Sequence, residues 1–382
     1  MNKANTTTST PGWEDRTREP YYMGDSIQAV PGCIETCLEA DFLANIRAGL
    51  EKVKPARVFL VGCGTSYNAG AAAAYACRRL LGLPAEVHDA LDFELDTPPG
   101  VDAHALVVSI SHSGQTLATC LASEKAKSLG AFTVGIASRP DARLVKNASF
   151  GLVDPFPHET RPRGKIRSYH TGSLLAMLAA VMAGSPEEER VAFTTEMRKA
   201  AQSIRQNLGA WEKLGRSIAS EWAPLTTHYM LAGFGVQKAN ADEFGLKIVE
   251  VLGEGATSYS LEEFTHGPGA SFRREMGIVL FQTDPRSLAR CLEIARGVVA
   301  SDARLVVITD ATGEGWPERT RVIPLSTIEN AGIYGFFTAA VAAQNLLYFL
   351  AIEKGLNPDV NCLNIHPELA DVSAIFFPPG TH

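Results

Sequence analysis

The chain has 382 residues, of which 46% are hydrophobic and 20% are charged, and its formal net charge is −7 at pH 7. This length exceeds what one hydrophobic core usually serves, so two domains are expected. The acidic balance argues against a protein that binds nucleic acid through a basic face. Residues 1–10 have no apolar core of the kind that a secretory signal requires, and the longest apolar stretches are interrupted. We therefore expect a cytoplasmic protein that does not span a membrane.

The seven cysteines are scattered, odd in number and mostly in apolar surroundings, which is typical of reduced thiols in the cytosol. Cys33 and Cys37 have the spacing of one helix face, but no second pair of ligands follows them. A metal site is therefore not expected. Gly62-x-Gly64 and Gly233-x-Gly235 both lack the third glycine of a dinucleotide-binding fingerprint, so no organic cofactor is expected either.

The first half of the chain alternates helical and strand-like segments after a polar arm over residues 1–20. Strands are predicted at Arg57–Val61, Ala85–Asp89, Ala105–Ser109, Phe132–Ile136 and Ser149–Val153. Helices are predicted at Ile34–Val53, at Tyr67–Leu81, after the stretch Ser109–Thr119 as far as about Leu129, and at Ser168–Ala183. Such alternation predicts a parallel sheet with helices on both faces, whose ligands bind at the carboxyl ends of the strands.

A long helical segment, Glu187–Ser220, is predicted to connect the halves, and the alternation then restarts. Strands are predicted at His228–Ala232, Ala256–Ser260, Gly277–Gln282, Arg304–Thr309 and Arg321–Pro324, with helices at Gln237–Leu252 and Ile328–Ile352. The repeated order indicates an internal duplication of architecture. We expect one domain over residues 21–186, a second over 187–354, and a loop-like tail over 355–382.

Two junctions between a predicted strand and a predicted helix carry glycine and hydroxyl residues. The first reads Gly62-Cys63-Gly64-Thr65-Ser66, and the second reads Ser111-His112-Ser113-Gly114-Gln115-Thr116. The unpaired N–H groups and the positive dipole at the start of a helix suit an anion, and the hydroxyl groups add donors. Because the lysine of a P-loop is missing, a sugar phosphate is favoured over ATP. The alternative is that the serines and threonines only cap their helices.

Three charged side chains share one face of the predicted helix Gln237–Leu252. Glu243, Lys247 and Glu250 are spaced by four and three residues, which places them on the same side. One interpretation is a solvated stripe with an ion pair. The other is a partly buried carboxylate that shuttles a proton, since the rest of the segment is apolar. His266 ends a short helix that a Gly-Pro pair stops, where it is either stabilised by the helix dipole or projects into a cleft.

These four motifs, in this order and with this spacing, resemble those of the tandem sugar isomerase (SIS) domain family from about residue 21 to the C-terminus. The resemblance implies an α/β fold of two tandem SIS domains, each a parallel sheet flanked by helices on both faces in a flavodoxin-like three-layer sandwich. The family includes the isomerase half of glutamine-dependent sugar aminotransferases, phosphosugar isomerases, glucosamine-6-phosphate deaminases and fructosamine-6-phosphate deglycases. It also implies that the tail closes the active site.

The resemblance implies roles for single residues. The substrate phosphate and nearby hydroxyls would be held by Thr65, Ser66, Ser111, Ser113 and Thr116, and the same pocket would include His112, Ser168, Glu243 and Lys247. Glu250 aligns with the carboxylate that moves a proton between C1 and C2 through an enediol or enaminol. His266 aligns with the histidine that assists ring opening or acts as the second acid/base, and that the neighbouring subunit of a homodimer lends.

Two further features bear on the reaction. The aminotransferases of the family use a lysine near the C-terminus to form an imine with the ketose, and His366 stands at that position here. An enzyme imine is therefore not expected, and His366 either assists catalysis, by polarising a carbonyl or positioning water, or packs as a tail residue. The four cations between Arg161 and Arg167 either form a solvated loop or pair with the carboxylate of an amino-acid conjugate, which favours a deglycase.

The expected function is an enzyme that acts on amino- or keto-sugar 6-phosphates by enediol or enaminol proton transfer. It would work as a deglycase or deaminase, or as an aldose–ketose isomerase. The alternative is a non-catalytic regulator that binds a sugar phosphate, against which the presence of both Glu250 and His266 argues. The expected partners are a small sugar phosphate and a second copy of the chain.

Overall fold

The computed structural model describes residues 16–162, 164–313, 315–325, 332–360, 372, 375–378 and 380–381. Each half of the chain forms one five-stranded parallel sheet. The first half contains β1 (Arg57–Gly62), β2 (Ala85–Asp89), β3 (Ala105–Ile110), β4 (Phe132–Ala137) and β5 (Phe150–Val153). Its helices are α1 (Tyr22–Cys37), α2 (Ala40–Leu50), α3 (Thr65–Ala76), α4 (Ala90–Leu95), α5 (Leu117–Ser128), α6 (Arg143–Asn147) and α7 (Arg167–Gly184).

The 36-residue helix α8 (Glu187–Trp222) leads to the second half. The strands there are β6 (His228–Gly233), β7 (Gly255–Ser260), β8 (Met276–Gln282), β9 (Arg304–Thr309) and β10 (Thr320–Pro324). The helices are α9 (Val236–Leu252), α10 (Leu261–Thr265), α11 (Leu288–Ala300) and α12 (Gly335–Glu353).

Both sheets have the same topology. The strand order is β2-β1-β3-β4-β5 in the first sheet and β7-β6-β8-β9-β10 in the second, and all neighbours are parallel. In register, Val61 of β1 lies opposite Ser109 of β3, and Ala232 of β6 lies opposite Leu280 of β8. This is the flavodoxin-like order, in which the switch point lies between the first and third strands. The predicted tandem α/β architecture is confirmed.

The two most apolar helices form the centre of the molecule. Every residue of α7 from Tyr169 to Ala183 and of α12 from Gly335 to Ala351 is buried. Within the described residues, α12 is the one helix long and apolar enough to cross a membrane, and 94% of its apolar window is buried inside the protein. A helix that is apolar all round and buried in this way packs as a core helix.

Two of the predicted helices have the wrong bounds. The segment Ile34–Val53 forms parts of α1 and α2, and the helix is interrupted at Glu39, whose backbone is extended (φ −64°, ψ 145°). The apolar spacing of the first helix continues into the second, which conceals the break. The helix expected at Ile328–Ile352 begins at Gly335, after a turn at residues 332–334, and residues 328–331 lie outside the described part of the chain.

The first helix of each half begins and ends at equivalent glycines. Gly64 and Gly235 precede α3 and α9 with φ of 54° and 62°, a conformation that L side chains disfavour. One π-helical turn extends α3 to Leu81, and the left-handed Gly82 (φ 63°) ends it; Gly253 (φ 68°) ends α9. The duplication therefore includes the backbone at both ends of these helices.

The end of the chain packs against its beginning. Asp359 accepts hydrogen bonds from the N–H groups of Tyr22 (2.9 Å) and Met23 (2.8 Å) at the start of α1. One continuous hydrophobic core includes side chains of both halves. The domain bounds of 21–186 and 187–354 therefore stay predictions.

Candidate active site

A cavity of about 380 Å³, including its open mouth, lies at the carboxyl ends of β1, β3 and β4. At this point the strand order of the first sheet reverses direction. The cavity is lined by five of the residues predicted for the site, namely Thr65, Ser66, Ser111, His112 and Ser168. The fold thus brings polar groups from three separate segments to one place.

The turn after β3 is held by its own hydroxyl groups. Ser111 Oγ lies 3.0 Å from Thr116 Oγ1 and accepts a hydrogen bond from the Gly114 N–H (3.1 Å). Ser113 Oγ accepts from the Gln115 N–H at 3.2 Å. Ser113 and Thr116 therefore shape the turn beside the cavity, while Ser111 both shapes the turn and lines the cavity.

Two further contacts fix the start of α5. Gly114 has φ of 65°, and a Cβ at this position would lie 2.5 Å from Ala142 Cβ, so the turn requires glycine. The Leu117 N–H donates to the carbonyl oxygen of Thr381 in the C-terminal tail (3.1 Å). The described end of the tail therefore lies directly on the predicted phosphate-binding turn.

His112 forms part of the cavity wall. Its ring stacks on His158 with centroids 4.2 Å apart, and its Nε2 accepts a hydrogen bond from the Glu159 N–H (3.0 Å). Ser138 donates to the His112 carbonyl oxygen at 2.6 Å. Burial, aided by the nearby His158 and Lys165, lowers the pKa of His112 to about 3. The imidazole is therefore neutral at physiological pH and acts as an acceptor within the wall.

The N-terminus of α7 is capped by the buried carboxylate of Glu159, which the sequence analysis did not predict. Glu159 accepts hydrogen bonds from the N–H groups of Arg167 and Ser168 (3.2 Å each) and from the hydroxyl of Ser26 (2.9 Å). The Ser168 hydroxyl is buried and has no hydrogen-bond partner within the described residues. It lines the cavity, so its hydroxyl is available to a ligand.

Part of the cationic segment between Arg161 and Arg167 borders the cavity. Lys165 lines the cavity and donates to the carbonyl oxygens of Glu159 (2.5 Å) and Pro162 (3.3 Å). Arg167 donates to the carbonyl oxygen of Pro157, and Arg163 lies outside the described residues. Lys165 is therefore the cation that the fold places at the cavity.

A buried chain of charged side chains runs behind Thr65. Thr65 Oγ1 and Asn68 Nδ2 donate to the two oxygens of Glu243 at 3.0 and 2.9 Å. Lys247 Nζ lies 3.5 Å from Glu243 Oε1 and donates to Glu250 Oε2 at 2.6 Å. The side chains of Glu243 and Lys247 are 4% and 2% exposed, and that of Glu250 is 25% exposed. The interpretation as a solvated stripe is therefore wrong.

The ammonium group of Lys247 and the carboxylates of Glu243 and Glu250 stabilise one another's charges. Burial raises the pKa of Glu243, although Lys247 and the hydrogen bonds from Asn68 and Thr65 act against it. Burial by itself lowers the pKa of Lys247, but the adjacent carboxylates of Glu243 and Glu250 outweigh it, so that the pKa is raised. The ammonium group thus stays charged between the two carboxyl groups.

Glu250 lies against the loop that enters the cavity. A Cβ on Gly164 would stand 3.2 Å from Glu250 Oε2, and the next residue along the chain, Lys165, lines the cavity. Within the described residues, only Oε2 of Glu250 is hydrogen-bonded, so Oε1 is available to exchange a proton. The structure thus connects Glu250 to the cavity on one side through Gly164 and on the other through Glu243 and Thr65.

Of the two predicted catalytic histidines, His266 is not part of this assembly. His266 follows α10, its side chain is 70% exposed, and its Nε2 lies 3.3 Å from Glu262 Oε1. It does not line the cavity of its own chain. His366 lies outside the described residues.

Sequence reasoning missed several polar residues of the cavity. Ser138 and Asp154 follow β4 and β5 directly, and Thr171 donates to Asp154 at 2.6 Å. The signal was present, because polar residues at the carboxyl ends of predicted parallel strands are placed at the ligand-binding edge of the sheet.

The fold and the cavity define a class of two-domain α/β proteins with a ligand site at the switch point of a parallel sheet. Residues 50–183 match the family model of the SIS domain, and the second half repeats the same architecture. Residues 50–183 therefore form an SIS domain.

The glutamine–fructose-6-phosphate aminotransferase of Gloeobacter violaceus is 28% identical over 357 residues, which are 89% of this chain and 57% of that protein. This chain therefore spans little more than half the length of that relative. The C-terminal domain of glucosamine-fructose-6-phosphate aminotransferase from Francisella tularensis has a similar structure (TM-score 0.77, 21% identity, 91% of this chain and 99% of that one). So does the tagatose-6-phosphate ketose/aldose isomerase of Escherichia coli (TM-score 0.75, 20% identity, 91% and 96%).

Proposed function

We propose that this protein is a cytosolic enzyme that moves a proton between adjacent carbons of an amino- or keto-sugar 6-phosphate. The observation that carries the proposal is the chain from Thr65 through Glu243 and Lys247 to Glu250, beside a hydroxyl-lined cavity. A site that only binds its ligand has no need of a buried ammonium group that orients a carboxylate, since burying charges is costly. A site that transfers protons does need it, because the base must be ionised and fixed in place.

In the proposed reaction, Glu250 takes a proton from the carbon next to the carbonyl or imine carbon and returns it to the neighbouring carbon. Lys247 holds Oε2 of Glu250, which leaves Oε1 to carry the proton. The intermediate is an enediol for a keto-sugar and an enaminol for an amino-sugar. No organic cofactor is needed for either.

The phosphate of the substrate is assigned to the cavity end of the site. The Ser111 turn and the start of α3 supply N–H and hydroxyl donors, and Ser168 supplies a buried hydroxyl without a partner. Lys165 adds a positive charge at the cavity. A cation there also favours substrates with a second anion, such as the carboxylate of an amino-acid conjugate, which supports deglycase activity over simple isomerisation.

In a deglycase or deaminase, water then hydrolyses the imine of the substrate and releases an amine or ammonia. In an isomerase, the reaction ends when the second carbon is protonated. The experiment therefore offers fructosamine 6-phosphates, glucosamine 6-phosphate and fructose 6-phosphate to the purified protein, and follows both amine release and ketose–aldose conversion.

The test variant is Glu250→Gln, which should lower kcat about a hundredfold or more while the protein stays folded. The matched control is Asp242→Asn, since Asp242 is also on α9, is 24% exposed and pairs with a lysine four residues away. Activity that persists in Glu250→Gln would overturn the assignment. Thermal stabilisation by the sugar phosphates with no turnover of any of them would establish the regulatory alternative instead.

The exposed His266 supports a homodimer, because a residue that cannot reach the cavity of its own chain can complete the site of a partner. Glu250→Gln and His266→Ala variants should each be inactive, but equal mixtures refolded together should recover about a quarter of the activity. The reason is that half of the dimers are mixed, and each mixed dimer has one complete site. A mixture as inactive as its components would contradict the shared site.

A further inference from the structure

A second cavity lies between the two halves, beyond the carboxyl end of β8. It measures about 750 Å³, including open space at its mouth, and it is lined by Tyr75, Arg79, Asp284, Arg286 and Tyr334 among others. Asp284 and Arg286 follow β8, as Ser111 and His112 follow β3, and Tyr334 precedes α12, as Lys165 precedes α7. The cavity therefore lies beyond the carboxyl end of β8, the strand that follows the switch point of the second sheet, at the edge where flavodoxin-like folds bind ligands.

In each half, the helix that follows the first strand of the sheet extends towards the cavity associated with the other half. The helix after β6 carries Glu250 to the loop beside the first cavity, and the helix after β1 carries Arg79 into the second cavity. Arg79 is the third residue before the closing Gly82, and Glu250 is the third residue before the closing Gly253. Arg79 therefore occupies the position that corresponds to Glu250.

The charges in the second cavity favour an anion. Two guanidinium groups and one carboxylate are the ionised side chains among its described lining residues. Arg286 Nε donates to Asp284 Oδ1 at 2.9 Å, and the Arg286 guanidinium lies 5.5 Å from the ring centroid of Phe234. Arg79 is exposed and forms no hydrogen bond or ion pair within the part of the chain that the structure describes. One positive charge is therefore left for a ligand, on a group suited to bidentate contact with phosphate.

We propose that this second cavity binds a small phosphomonoester of the size of a hexose phosphate, with Arg79 and Arg286 on the phosphate and Tyr75 and Tyr334 beside the organic part. The second cavity binds this phosphomonoester without converting it, because an arginine stands at the position of the carboxylate that would move a proton. Arg79 comes from the first half and Arg286 from the second, so the ligand contacts both halves. Since α3 begins at Thr65 in the first cavity, the bound ligand acts as an effector of that site.

The test is calorimetric titration of the full chain with glucosamine 6-phosphate, in the Glu250→Gln background so that nothing turns over. Two sites per chain are expected. Arg79→Ala should weaken one of them about tenfold or more, because a charge-assisted contact is lost. Asp284→Asn should tighten the same site, because the opposing negative charge is removed. The control Lys199→Ala, a surface cation paired with Glu196 on α8, should change neither.

The double variant Ser111→Ala/Ser113→Ala distinguishes the two sites, since it should weaken only the other one. The inference would be overturned if neither site responds to Arg79→Ala or Asp284→Asn. It would also be overturned if the titration shows a single site that responds only to the serine variant. A single site that responds to Arg79 and Asp284 but not to Ser111 would support the inference while overturning the proposed function. Inorganic phosphate as a second titrant reports whether the phosphate alone is sufficient or the organic part is needed.

Discussion

The helices α3 and α9 begin and end in the same backbone conformation but carry different chemistry, and only α3 is extended by a π-helical turn. Both follow the first strand of their sheet, both start after a glycine with positive φ, and both end at a left-handed glycine. Yet α3 presents alanines at 72 and 76 and an arginine at 79, where α9 presents Glu243, Lys247 and Glu250. The backbone was duplicated, but the proposed acid/base function belongs to one copy.

The loops after β3 and β8 also differ in the side chains that they offer to a ligand. The first is a tight turn built from serine, threonine and a left-handed Gly114. The second is a 3₁₀ turn, Pro285–Ser287, with Asp284 accepting the Arg286 N–H at its start. Small hydroxyl residues leave room for a ligand to reach the backbone, whereas the second loop can hold an anion only through a long side chain.

The largest expected effect is that of Lys247→Met, which makes α9 more like the apolar α3. It leaves Glu243 and Glu250 without the cation between them. The free energy of unfolding should fall by about 3–5 kcal/mol, as when one partner of a buried ion pair is removed, and activity should be lost. Urea denaturation measures the change, with Lys238→Met on the same helix as control, since Lys238 is partly exposed. Equal midpoints for the two variants would contradict the role of Lys247.

A smaller effect is expected from Gly114→Ala, which tests the difference between the two loops. The added Cβ meets Ala142 and Ala137 at 2.5 and 2.7 Å in a left-handed conformation. We expect a loss of about 2–4 kcal/mol of stability and weaker sugar-phosphate binding. Gly82→Ala is the control, because Gly82 has the same φ but open space around it, and should cost about 1 kcal/mol with binding unchanged. Equal costs for both would show that the packing at Gly114 does not matter.

The smallest effect concerns pH, where the equivalent positions His112 and Asp284 affect stability in different pH ranges. The folded chain does not protonate His112 until about pH 3, whereas the unfolded chain does so near 6.5, so stability falls as the pH drops between these values. His170, whose pKa burial lowers to about 4, contributes in the same direction. Asp284 has a pKa lowered by its hydrogen bond with Arg286, so its contribution is lost only below the usual aspartate range.

Replacing His112 with Gln should therefore flatten the fall in unfolding free energy between pH 6 and 4 by about 1.4 kcal/mol per pH unit. Denaturation series at several pH values measure the slope. Asp284→Asn should leave the slope in this interval unchanged, and a change of slope there would contradict the assignment.

Much of the fold was accessible from the sequence, because its strands are buried runs of apolar residues between turn residues. The bounds of β2 and β9 were predicted without error, and those of the other strands to within one residue. The face that joins Glu243, Lys247 and Glu250 also followed from helical spacing. Which residues share a face of a helix is fixed by their spacing in the sequence, so it does not depend on how the helix packs in the tertiary structure.

The remainder depends on contacts that spacing does not encode. Glu159 caps a helix that begins eight residues later and bonds to Ser26 across the fold, so nothing in its neighbours along the chain marks it. The correspondence between Arg79 and Glu250 requires both sheets to be in place. The break at Glu39 was hidden because two amphipathic helices in succession continue one periodicity.

The hydrogen bonds from Tyr22 and Met23 to Asp359 bring distant points of the chain side by side. A peptide linker could join the chain there, and new termini could be opened at the exposed turn near Glu51 and Lys52, which connects α2 to β1. The circularly permuted protein would keep both sheets but lose the hydrogen bond from the Leu117 N–H to Thr381, so its affinity for a sugar phosphate would report what the tail contributes to the first cavity.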